Sequence, residues 1–109
     1  MVALRYPSSV EPLVSYEGDR TVVWLRGEHD VYKASALSDT LTQVISDHDA
    51  DLIVDLSEVT FIDAMSIEVL LRGQHLLRER SRSLVLRSPS RCAGRVLDLC
   101  GVRDLVEAS

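Results

Sequence analysis

Between Asp51 and Arg80 the chain reads DLIVDLSEVTFIDAMSIEVLLRGQHLLRER, and few folds accommodate that order of residues. Leu52, Ile53, Val54 and Leu56 form an apolar run broken only by Asp55, the pattern of a strand buried on both faces of a parallel sheet. Ser57 and Glu58 read as a polar turn, and Phe61 with Ile62 as a second short apolar patch. From Asp63 the period changes. Ile67, Leu70, Leu71 and Leu77 recur at helical spacing, with Gln74 filling one place in the stripe. Asp63 suits the helix start, because a short carboxylate accepts hydrogen bonds from the free N–H groups of a first turn. A buried strand, a sharp turn and a helix in that order predict an α/β unit. Its helix start would be presented at the C-terminal edge of the sheet, where ligands and partners of open α/β sheets usually sit.

The flanking sequence extends this pattern in both directions. Residues 1–12, with Pro7 and Pro12, read as an irregular lead-in. Leu13–Tyr16 and Thr21–Leu25 are short β-type runs joined by Glu17-Gly18-Asp19-Arg20, a hairpin signal. Gly27 is expected to end the second strand, with Gly27-Glu28-His29-Asp30 as a loop. Asp30 or Ser35 then opens a helix with apolar positions Ala34, Leu37, Leu41, Val44 and Ile45. Ser46–Asp51 reads as a polar break. Leu84–Leu86 is another buried-strand candidate. Ser88 and Pro89 read as the cap and first turn of a last helix carrying Cys92, Ala93, Val96, Leu97, Leu99 and Cys100. Gly101 before Val102 predicts a Schellman ending, with Leu105 and Val106 packing back. The sum is β-β-α-β-α-β-α, which predicts a single α/β domain over residues 13–107 with a mixed, mostly parallel sheet flanked by helices.

Composition narrows the function classes. The 109 residues, 46% apolar and 27% charged, fit one ordinary globular domain with a core large enough to need no disulfide framework. No apolar run is long enough for a membrane span, and Met1–Leu4 is too short for the apolar core of a leader. The net charge of −5 is unevenly spread: residues 1–71 hold 13 acids against 4 bases, and residues 72–109 hold 8 bases against 4 acids. Arg78, Arg80 and Arg82 read as a solvated helix end. An acidic balance with no aromatic residue after Phe61 argues against direct nucleic-acid binding. Cys92 and Cys100, eight apart on one helix, would lie roughly 12 Å apart, too far for an internal bridge. Buried, reduced thiols and a cytoplasmic location follow as expectations.

Catalytic chemistry finds little to work with. Ser66 would need a base and an orienting acid; His75 stands nine residues on, and Met65-Ser66-Ile67-Glu68 lacks the Gly-x-Ser-x-Gly elbow. Neither His29 with Asp30 nor the run Asp47, His48, Asp49, Asp51 has a metal-site spacing. No glycine-rich phosphate loop is present, so no cofactor is implied.

Three landmarks together resemble the STAS domain of bacterial anti-sigma factor antagonists. Gly27-Glu28-His29-Asp30 is similar to the family's Gly-Glu-hydrophobic-Asp loop. Leu52–Leu71 resembles its apolar strand, Phe-hydrophobic-Asp turn and helix, and Val96–Val102 its closing helix and Gly-hydrophobic exit. The resemblance implies a non-enzymatic protein switch. Such a protein binds an anti-sigma factor with a serine/threonine kinase fold, frees a sigma factor for transcription, and is released when phosphorylated in the turn after the matched aspartate. The family pattern there is Asp-Ser-Ser/Thr-Gly-hydrophobic; this chain has Asp63-Ala64-Met65-Ser66-Ile67. The acceptor position is therefore Met65, which cannot be phosphorylated. Three readings stay open: an antagonist that is not switched, an acceptor displaced to Ser66, or a docking module of a lipid-transport, stress-signalling or anion-transport assembly. The expected partner surface comprises Asp30, Asp63, Ala64, Met65, Ser66 and Glu68, and a homodimer is left open.

Overall fold

Parallel pairing of the two longest strands sets the frame of the computed structural model, which describes residues 13–107; the expected lead-in of residues 1–12 lies outside the described residues. The elements are β1 (Leu13–Glu17), β2 (Arg20–His29), α1 (Val31–Asp47), β3 (Asp51–Ile62), α2 (Ala64–Arg78), β4 (Leu84–Arg87) and α3 (Arg91–Cys100), followed by a 3-10 turn at Arg103–Leu105. The sheet order is β1-β2-β3-β4. β1 runs antiparallel to β2, and the other two pairings are parallel. This is the order of elements that the sequence predicts. Val14, Val23, Val54 and Leu86 stand in register across the four strands. They are buried together with Leu37, Leu41, Ile67, Leu70 and Leu97 of the helices, each such side chain contributing about 1.5–3 kcal/mol by leaving water.

The opposite face of the sheet is closed differently. Val22 and Ile53 are fully buried there but stand outside the cluster formed with the helices. Long polar side chains roof them. The Arg87 Nε donates to Asp55 at 2.9 Å and its Nη1 to Glu17 at 2.9 Å, while the guanidinium lies 5.0 Å from the centre of the Trp24 ring. The Trp24 Nε1 donates to Ser15 at 2.7 Å, and Arg20 reaches Glu107 at 2.7 Å. Aliphatic stems and an indole thus cover the apolar rung while the charged ends pair above it.

β3 departs from the expected turn at Ser57 and Glu58, because it continues as a strand to Ile62. Its register against β2 slips twice, from Trp24↔Asp55 to Arg26↔Glu58 and from Gly27↔Val59 to Glu28↔Phe61. Each slip inserts one extra residue into β3, a β-bulge. Buried positions therefore run Leu56, Val59, Ile62, a spacing of three that no simple strand period matches. The first bulge is held by Asp55, whose Oδ1 accepts from the Ser57 amide at 2.9 Å and the Ser57 hydroxyl at 2.6 Å. For the same reason β2 does not end at Gly27. Gly27, at φ +73°, takes a left-handed conformation inside the strand, which continues to His29.

Four further expectations need correction. The last helix is capped by Ser90, which accepts from the Ala93 amide at 3.1 Å, rather than by Ser88; Ser88 has φ +51° and stands in the connection. Cys92 is half-buried and Cys100 exposed, because α3 buries the side bearing Ala93, Gly94 and Leu97. Arg80 and Arg82 do not form a freely solvated helix end. Arg80 donates to the Ile45 carbonyl, and Arg82 donates to the carbonyls of Ile45, His48 and Ala50, satisfying the C-terminal carbonyls of α1 and the residues after it. α1 itself runs to Asp47, so the polar break is shorter than expected. Gly101 ends α3 as predicted: its φ is +73°, and the Val102 amide donates to the Leu97 carbonyl at 3.1 Å. The tail then packs back, with Val106 bridging Leu86 beside β4.

Burial pushes the Asp55 carboxyl up, but hydrogen bonds from Ser57 and Arg87 outweigh it and hold the group below its ordinary value. Arg87→Ala is expected to destabilise the domain by about 1.5–3 kcal/mol at pH 7 in urea unfolding, since it strips a charged hydrogen-bond partner from a buried carboxylate. The sign follows from the lowered folded value. Asp55 stabilises the fold above its unfolded pKa of about 4, so the difference between wild type and variant should shrink as pH falls below that point.

Candidate docking site

The last rung of the parallel ladder pairs His29 with Ile62, and each strand passes straight into a cap and a helix. Asp30 caps α1, accepting from the Tyr32 amide at 3.1 Å. Asp63 caps α2, accepting from the Ser66 amide at 3.0 Å. Paired strands run about 4.8 Å apart, so the two junctions lie side by side at the C-terminal edge of the sheet. The two aspartates identified in the sequence are thus brought together, and both act as helix caps.

A clasp joins these junctions. The backbone carbonyl of His29 accepts the Asp63 amide at 3.2 Å and the Ser66 hydroxyl at 3.1 Å. Ser66 is completely buried; its hydroxyl points into the protein and holds the end of β2 against the first turn of α2. That corrects its expected place on the exposed surface. Its hydrogen-bond acceptor is a carbonyl oxygen, which cannot serve as a general base. Among the described residues, no three His, Cys, Asp or Glu side chains are grouped to hold a metal ion.

The other predicted residues do face outward. Ala64 and Glu68 are exposed, Asp30 and Asp63 are half-buried, and Met65 is 43% exposed. Three apolar residues that the sequence reading did not assign to the surface join them: Val31 at 51%, Tyr32 at 89% and Phe61 at 46% exposure. Tyr32 carried a legible signal. At about 100° per residue it falls roughly opposite the stripe Ala34, Leu37, Leu41, Val44. Phe61 carried none, because the second bulge turns it away from the side on which Val59 and Ile62 are buried. The exposed Glu28 stands directly across from Phe61 in the ladder. Glu58 is also exposed, opposite Arg26. The edge therefore presents apolar side chains among Glu28, Asp30, Glu58, Asp63 and Glu68. Apolar centres with a charged surround are the usual composition of protein-docking surfaces.

From Glu68 the exposed side of α2 continues as a shallow groove lined by Leu71, Arg72, His75 and Leu76. Leu76 is 40% exposed, and Arg72 pairs loosely with Glu68 at 3.8 Å.

The chain and its fold are similar to those of known proteins. The chain is 28% identical over 85 residues to the anti-sigma-B factor antagonist of Bacillus subtilis (strain 168), covering 78% of this chain and 77% of that protein. The fold superposes on the anti-sigma factor antagonist SpoIIAA in its unphosphorylated form with a TM-score of 0.79 at 16% identity, covering 90% of this chain and 87% of that one. It superposes on an anti-sigma factor antagonist from Mycobacterium paratuberculosis with a TM-score of 0.78 at 24% identity, covering 87% and 80%. No helix among the described residues is long and apolar enough to cross a membrane. Residues 13–107 match the family described as "Mlab, STAS domain", and with a four-stranded mixed sheet that presents two capped helix starts at one edge, the chain belongs to the STAS domain family.

Proposed function

We propose that this STAS domain is a non-enzymatic anti-sigma factor antagonist. It docks the turn Asp63–Ser66, with Asp30 and Glu68 beside it, against an anti-sigma factor of serine/threonine-kinase fold, and so releases a sigma factor for transcription. The observation that carries this reading is Met65. It is exposed in the first turn of α2, where the family pattern has its phosphoacceptor, and Val31, Tyr32 and Phe61 at or beside the two strand ends are exposed as well. A thioether side chain repacks readily against a partner. The curated relative at 28% identity, an anti-sigma-B factor antagonist, supports the partner class.

Release by phosphorylation at the usual position is not part of this proposal. Met65 has no hydroxyl, and Ser66 uses its own on the His29 carbonyl. A phosphate on Ser66 would have to break that clasp and would place about two negative charges next to Asp63. The buried hydroxyl therefore favours a constitutive antagonist over a displaced acceptor. A second reading rests on the match to the family described as "Mlab, STAS domain": the same edge would serve an interaction subunit of a transport or signalling assembly.

The test is calorimetric titration of the purified domain with the cognate kinase-fold anti-sigma factor, with and without ATP. Met65→Asp and Asp63→Lys are each expected to weaken binding at least tenfold while the far-ultraviolet dichroism stays native. Unchanged affinity in both variants removes this turn from the interface, and no binding by wild type moves the second reading into first place. Ser66→Ala is expected to cost about 1 kcal/mol of stability, the usual net worth of a buried hydrogen bond, when followed by urea unfolding. Mass spectrometry after incubation with the kinase and ATP should show no phosphate on Ser66.

A further inference from the structure

One side chain at this edge has no part in the docking turn yet sits beneath it. His29 occupies the place that the family pattern fills with a hydrophobic residue, and it is only 4% exposed. Its Nε2 lies 3.1 Å from the Arg26 carbonyl. A carbonyl can only accept, so Nε2 carries the proton and Nδ1 is left as a bare acceptor. That Nδ1 is buried and has no hydrogen-bond partner.

We propose that His29 couples protonation to opening of the docking edge: the clasp between the end of β2 and the first turn of α2 holds while the imidazole is neutral and loosens when it is charged. Protonation would create an N–H at Nδ1 where no described group accepts it, together with a full charge in a desolvated position. The surroundings do little to offset this. From α1, Lys33 opposes the charge and the capping Asp30 favours it. From β3 the directly paired residue is Ile62, which carries none. At the start of α2 stands Asp63, whose carboxylate is engaged by the Ser66 amide. Burial, partly offset by the Arg26 hydrogen bond, holds the His29 imidazole below its ordinary value.

The link to the docking edge is the backbone of the same residue. His29 points to the same side of the sheet as the buried Ile62, under the helices. To reach water, its imidazole must part the end of β2 from the helix starts. That movement withdraws the carbonyl on which the Asp63 amide and the Ser66 hydroxyl depend. The sign is fixed by the lowered folded pKa. The clasp is at full strength above about pH 6.5, the unfolded histidine value, and weakens as pH falls from there toward the folded value. The open-to-closed ratio rises by up to about tenfold for each pH unit in that interval.

The experiment needs only the domain itself, so it stands or falls separately from the proposed partner. Imidazole carbon chemical shifts would be followed by NMR from pH 8 to pH 4.5. Amide hydrogen exchange at Asp63 and Val54, corrected for the intrinsic pH dependence, would be followed over the same range. His29 should titrate below 6.5, its ordinary value. Exchange at Asp63 should be faster than at Val54 throughout and should accelerate by up to about tenfold per pH unit, and His29→Gln, which keeps an N–H able to reach the Arg26 carbonyl, should abolish that acceleration. Titration of His29 at or above 6.5 overturns the proposal, as does exchange at Asp63 no faster than at Val54. Should the variant fail to fold, the wild-type shifts and exchange ratios decide the question alone.

Discussion

Two parallel strands, β2 and β3, carry the molecule, and the way their ladder ends governs what the surface can do. Along most of its length the pairing buries Val22, Val23, Leu52, Ile53 and Val54 on the two faces of the sheet. At its end the ladder becomes asymmetric. The carbonyl of His29 finds no further strand and instead accepts the amide of Asp63 and the hydroxyl of Ser66. A sheet bond is replaced by bonds to a helix start, and so the turn between β3 and α2 is tied to the end of the sheet. Under the proposed function, a docking surface built this way would need little ordering when a partner arrives, which lowers the entropic cost of association.

The bulges in β3 serve the same end. A strand with uninterrupted period two would alternate sides beyond Leu56 without the spacing of three that buries Val59 and Ile62 together. Two inserted residues keep Val59 and Ile62 on the helix side and send Phe61 outward. Asp55 links this local irregularity to the far face of the sheet. One of its carboxylate oxygens holds the Ser57 amide and hydroxyl, and the other holds Arg87, which also reaches Glu17 on β1. The polar roof over Val22 and Ile53 and the first bulge of β3 therefore share one buried carboxylate.

Much of the fold is legible in the residues themselves. The apolar run at Leu52–Leu56 and the helical stripe after Asp63 identify the strand–helix unit, and Asp30, Asp63 and Gly101 mark helix ends by their own chemistry. Misreadings fall where tertiary pairing overrides local pattern. Ser57 and Glu58 look like a turn because a bulge breaks the strand period, and Gly27 looks like a strand end because a left-handed residue rarely lies inside one. The arginines after α2 look solvated because their acceptors belong to the end of α1, more than thirty positions away in sequence.

Local chemistry in the sequence determined which elements form and that Asp30 and Asp63 stand where helices are capped. These depend on neighbours within a few positions. Only the tertiary structure decided that Ser66 is buried, that Tyr32 and Phe61 are exposed, and that His29 lies beneath the edge with one nitrogen unpartnered. Each of those outcomes is set by how β2 meets β3 and by which side of the sheet the helices cover, and side-chain direction along a bulged strand cannot be counted from residue spacing alone.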